Sequence, residues 1–146
     1  MRYTLPILAL MVFLCACGRS GSGTPAGFID SFGSHASPSG AMTVEVTRRE
    51  KSLVDFAVVD TSTGKTLVTD YIGSDAMRWF LWWENPSRLW GYGSDLGYFK
   101  VFDFASGRVT SSSVSDATPV PQFVWDHLPT SKQRRYRVAP ALLPEN

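Results

Sequence analysis

From Met42 onward, apolar and polar positions alternate with a period of two. "TVEVT" at 43–47 alternates, and "SLVDFAVVD" at 52–60 runs into the turn "TSTGK", which "TLVTDY" follows. β-Branched runs flanking a Gly-bearing loop predict a hairpin. "MRWFLWWE" at 77–84 predicts a further strand that ends at "NPSR", where Pro86 removes a ladder donor. "RLWGYG", "LGYFKVFDF" and "VTSSSV" continue the series. No segment before residue 120 has helical spacing of its apolar residues, and the connections are too short for parallel crossovers. The expected fold class is therefore all-β: a single antiparallel, meandering domain over 41–118, built as a small sandwich or as blade-like sheets.

The pattern changes at both ends. Residues 18–40, "GRSGSGTPAGFIDSFGSHASPSG", are crowded with Gly, Ser and Pro. Such a stretch buries too little apolar area to offset chain entropy, so 17–40 is expected to be a flexible tether. Its r.m.s. reach is roughly 25 Å, and Phe28, Ile29 and Phe32 are the residues in it able to dock. After Thr118, "PVPQFVWDHLP" and "SKQRRYRVAPALLPEN" carry prolines that forbid central strands. Residues 119–146 are thus expected to form an extended arm, packed on the domain or trailing from it, with one helical turn near Trp125–Leu128. Lys132, Arg134, Arg135 and Arg137 cluster there; they read either as a solvated tail or as an attraction to anionic lipid phosphates, worth about 1 kcal/mol per charge.

A faint repeat of period 43 aligns 52–65 with 95–108, matching Leu53 with Leu96, Phe56 with Phe99, Val58 with Val101 and Asp60 with Asp103. It is similar to β-propeller blade grammar. Two copies cannot close a ring, so the single antiparallel domain is the preferred architecture.

The first sixteen residues, "MRYTLPILALMVFLCA", place one arginine before an uncharged run whose apolar heart spans Leu5–Leu14. This is the pattern of a secretory signal peptide, and the run is shorter than the roughly 20 residues of a membrane span. "LCAC" at 14–17 resembles the lipobox of bacterial lipoproteins, with aliphatic Leu14 at minus three, Cys15 tolerated at minus two and small Ala16 at minus one. The resemblance implies cleavage between Ala16 and Cys17 by signal peptidase II. It also implies diacylglyceryl transfer to the Cys17 thiol and acylation, palmitate included, of the new amino terminus. Two or more acyl chains anchor stably, whereas one does so only marginally. Gly18 in place of Asp after the cysteine implies passage to the outer membrane, facing the periplasm, in a Gram-negative cell. Cleavage would discard Cys15 and lipidation would consume Cys17. The mature chain would then have no thiol for a disulfide, for catalysis or for a cysteine metal site.

Charge and motifs narrow the function. With 14 basic against 13 acidic residues there is no global field for nucleic acid. "TGKT" at 63–66 lacks the phosphate-loop glycine five positions before Gly64, where Val59 stands. Ser62 and Lys65 have S-x-x-K spacing but fall in a turn rather than on a helix. Asp126 and His127 are neighbours and point apart in an extended chain, so they do not pair as orienter and base. "GSD" at 73–75 and at 93–95 reads as turn chemistry before it reads as a calcium site. No cofactor, metal or catalytic site is expected.

Aromatic residues reach 13% and concentrate between Trp79 and Phe104. On 77–84 one face takes Met77, Trp79, Leu81 and Trp83 and the other takes Arg78, Phe80, Trp82 and Glu84, so rings occupy both. They read first as core. The sharper expectation is an exposed strip of Trp82, Trp90, Tyr92 and Tyr98 that binds an envelope protein or glycan. The chain thus reads as a membrane-anchored binding or scaffold module. A periplasmic inhibitor or immunity lipoprotein is the alternative, followed by an envelope hydrolase using His127.

Overall fold

The computed structural model describes residues 26–105, 108–114 and 118–140. The expected signal segment, with Ala16 and Cys17, lies outside them. Among the described residues the alternating pattern of the sequence forms nine strands in two open sheets, so the all-β class holds. In chain order they are β1 (Phe28–Ile29), β2 (Gly33–Ala36), β3 (Met42–Arg49), β4 (Leu53–Asp60), β5 (Thr66–Ser74), β6 (Trp79–Asn85), β7 (Arg88–Gly93), β8 (Phe99–Asp103) and β9 (Thr110–Val114). Two short helices follow, α1 (Gln122–Asp126) and α2 (Thr130–Gln133).

Every strand pairing is antiparallel. One sheet is the meander β2-β3-β4-β5, and the other is β1-β6-β7-β8-β9. The chain begins in the five-stranded sheet at β1, moves to the other sheet for four strands, and returns for β6–β9. Phe28 lies opposite Trp82 and Ile29 opposite Leu81. This corrects the expected tether: its part from Phe28 onward is folded, and Ile29 is buried. Two apolar residues and a short pairing with β6 offset the entropy cost that the surrounding Gly, Ser and Pro suggested.

The hairpin read from "TSTGK" is present. Asp60 Oδ1 accepts the Ser62 and Thr63 N–H groups, both at 2.9 Å, and their hydroxyls at 2.7 and 3.0 Å. These bonds, the Ser62 hydroxyl foremost and then the Thr63 N–H, hold the Asp60 carboxyl below its ordinary range. Gly64 takes the left-handed φ of 68° that closes the turn.

Two cores flank the five-stranded sheet. Between the sheets, Val44, Val54, Phe56 and Val58 of one meet Leu81, Trp83, Leu89 and Phe102 of the other. On the opposite face Phe80, Tyr92, Phe99 and Val101 pack under Val120, Val124, Leu128 and Tyr136 of the arm. The arm is therefore a third layer. Its helices are too short to persist alone; Pro121 and Pro129 precede them, and buried Val124 and Leu128 pin the segment to the sheet. Trp125 Nε1–H donates to Gln133 O and Gln133 Nε2–H to Trp125 O, both at 3.2 Å, which locks α1 to α2. The Val120 N–H donates to Arg137 O at 2.8 Å, so the arm closes on itself in a parallel bridge between Val120 and Val138.

The two copies of the period-43 repeat fall in different sheets. Phe56 and Val58 face the inter-sheet core, while Phe99 and Val101 face the arm. Shared residue spacing here reflects two similar strands rather than two equivalent blades.

Candidate functional site

The aromatic band is the first place to look. Along β6 the strand pleat sends Trp79, Leu81 and Trp83 between the sheets and Phe80 and Trp82 to the arm. Trp82 stacks on Phe123 of α1, centroids 4.6 Å apart. Trp90 is 6% and Tyr92 1% exposed, and Trp90 Nε1–H donates to Glu84 Oε2 at 2.8 Å. Tyr98 stands half-buried just before β8, outside this stack. The structure thus brings Trp82, Trp90 and Tyr92 to one face of the sheet but closes that face with the arm. The expected open strip is corrected to a covered core, because an apolar sheet face of this size is closed by the apolar positions Val120, Val124 and Leu128 of the arm.

His127 belongs to the same layer. Its ring sits 4.1 Å from that of Phe123 and 4.7 Å from that of Phe28. Nδ1 lies 2.8 Å from Phe123 O, one helical turn back, to which an Nδ1–H donates. Asp126 instead accepts from Gln122 Nε2 at 2.7 Å. The imidazole is thereby held as a wedge between β1 and α1.

Phe28 is among the residues expected to dock, but sequence reasoning missed Phe123 as the partner that completes this cluster. A signal was available. Val120, Val124 and Leu128, all buried, recur at intervals of four, the helical spacing that the prolines obscured.

The two "GSD" segments, far apart in sequence, meet in space. Ser74 N–H donates to Asp95 Oδ2 at 3.0 Å, and Asp75 pairs with Arg48 Nε at 2.6 Å. A Cβ on Gly93 would collide with the carbonyl oxygen of Ile72, so glycine there lets β7 approach β5. The two carboxylates have separate partners, and the described residues contain no group of three His, Cys, Asp or Glu able to hold a metal ion. The junction ties one sheet to the other.

Lys100 does the same at the open seam. From β8 its Nζ donates to Asp70 Oδ1 and to Tyr71 O, each at 2.8 Å, and lies 4.0 Å from the centre of the Tyr71 ring. Lys100 and Asp70, with Ser111 and Ser113, border a niche of about 120 Å³. The ammonium is occupied by a carboxylate, a carbonyl and a ring, so it holds the seam shut rather than serving as a base.

A further concavity lies at the end where β6 begins. Phe28, Asp30, Met77, Arg78 and Trp79 line a cleft of about 360 Å³. Met77 is 48% exposed, and so at 41% is Phe32, whose ring lies 5.6 Å from that of Trp79. Apolar side chains beside an acid and a guanidinium give a surface that can take a partner's side chain by contact and orient it by charge.

Compared with protein-family models, curated proteins and solved structures, the chain matches none of them.

Proposed function

We propose that this chain is a lipid-anchored lipoprotein of the bacterial cell envelope whose β-sandwich acts by binding, as a non-catalytic module. The observation that carries this reading is "LCAC" at 14–17, placed directly after an apolar export segment. In this reading Cys17 becomes the first residue of the mature protein and its attachment to lipid. The partner surface moves from the covered aromatic strip to the cleft around Trp79, flanked by exposed Phe32 and Met77. That cleft, rather than any reactive group, is also what favours the inhibitor variant of the same reading, in which another envelope protein is plugged.

Globomycin treatment, or Cys17→Ala, is expected to block processing and to release the protein from membranes. Unchanged processing and fractionation would remove the anchor and the reading with it. Met77→Asp and Arg78→Glu in the lipidated protein are expected to abolish cross-linking to envelope proteins while leaving membrane attachment intact.

A further inference from the structure

Charge is unevenly divided between the layers. Residues 26–118 hold eight Lys or Arg against eleven Asp or Glu, a net of −3. Residues 119–140 hold four cations against one acid, Asp126, a net of +3. In the sandwich Arg48, Arg49, Arg88 and Lys100 are each paired with an aspartate. In the arm, Lys132, Arg134 and Arg137 form no ion pair with a described residue. Tyr136 is buried against Phe99, so Arg137, its neighbour in extended chain, turns outward and is exposed, as is Arg134 at the end of α2. The outer face of the third layer is thus the cationic side of an otherwise acidic domain.

The same layer lies where the chain enters the fold. Phe28, near the start of the described chain, packs on Phe123 and His127 of this layer. Only eight residues, nine Cα-to-Cα steps, separate Cys17 from Ala26. Fully extended they span about 30 Å, roughly one domain diameter.

We infer that the outer face of the arm, through Lys132, Arg134 and Arg137, docks on an anionic phospholipid surface and sets the orientation of the domain at the membrane. This deepens the proposed anchoring and rests on it. An anionic leaflet attracts the arm and repels the sandwich, so both charge groups favour one pose. In that pose the sandwich faces away from the bilayer.

The test uses the lipidated full chain in vesicles of phosphatidylcholine with about one third phosphatidylglycerol. The mature protein has no other thiol, so Ser131→Cys on the arm and Ser62→Cys on the sandwich turn each accept one environment-sensitive fluorophore. The arm label is expected to be quenched by nitroxide-headgroup lipid and the Ser62 label spared. Quenching should vanish in about 0.5 M salt, where the Debye length falls to roughly 4 Å. Arg134→Glu with Arg137→Glu should lower the docked-to-undocked ratio by at least about fivefold per cation lost. Flotation reports the anchor separately: all these variants must float with the vesicles, and protein that fails to float counts against the anchor instead. Equal quenching of both labels, quenching of the arm label in pure phosphatidylcholine, or a response only to added envelope proteins would overturn the inference. Unchanged circular dichroism of the exposed-site variants keeps a folding defect from imitating the result.

Discussion

The two faces of the five-stranded sheet are both buried, yet by different means. Toward the other sheet the core is largely aliphatic, with Val44, Val54, Val58, Ile72, Leu81 and Leu89 around a few rings. Toward the arm it is largely aromatic, with Phe80, Trp90, Tyr92, Phe99 and Tyr136. Two sheets mate through evenly spaced, β-branched side chains that interdigitate across about 10 Å. An arm of two short helices interrupted by prolines cannot offer such a lattice, so large rings bridge the irregular gap by edge and offset contacts. A covering layer can be made from little secondary structure if the layer beneath supplies the bulk.

The comparison is broken most severely by removing the arm. A chain ending at Thr118 uncovers Phe80, Tyr92, Phe99 and Val101 together, and it is expected to bind hydrophobic dyes and lose cooperative thermal unfolding. Retention of a sharp transition would show that the inter-sheet core suffices alone. Next come matched truncations. Phe56→Ala and Phe99→Ala each remove a fully buried ring and should cost about 3–5 kcal/mol by urea denaturation. The arm can settle into a void more readily than a paired sheet can, so the Phe99 variant is expected at the lower end. The reverse order would mark the arm as the stiffer layer.

Gly93→Ala probes the tie between sheets without touching either core. Its new methyl meets the Ile72 carbonyl, and a loss of about 2 kcal/mol is expected, within the range for overpacking. Wild-type stability in that variant would mean β7 can withdraw from β5 at no cost.

The smallest effect concerns Tyr92, whose hydroxyl is buried without a hydrogen-bond partner among the described residues. Burial foremost, then the Tyr136 phenol, pushes its pKa from 10.0 up to about 12, with Arg78 opposing. The neutral phenol is the form the fold prefers, so this contribution is complete below about pH 10 and is lost as pH rises through 12. Tyr92→Phe should change neutral-pH stability by less than about 1 kcal/mol, since no bond is lost, and should flatten the alkaline decline seen in pH-dependent melting. An unaltered decline would assign it to another group.

Much of this was legible locally. The β-period from Met42, the "TSTGK" hairpin and the break at Pro86 each follow from residues a few positions apart, and each element stands where the pattern put it, as in β4 at Leu53–Asp60 and β6 at Trp79–Asn85. Even the double-faced character of β6 could be read, because a pleated strand assigns alternate side chains to opposite sides whatever surrounds it. What the sequence alone could not reveal was the cover. That Phe28–Ile29 would leave a Gly- and Ser-rich stretch to pair with β6, and that Val120, Val124 and Leu128 would close over Trp90 and Tyr92, depended on which distant surface remained unpaired. Periodicity is a property of the backbone and its neighbours. Burial is decided only when the whole chain has competed for the same apolar area, and so the exposed aromatic strip became a core while the cationic face of its cover became the new surface.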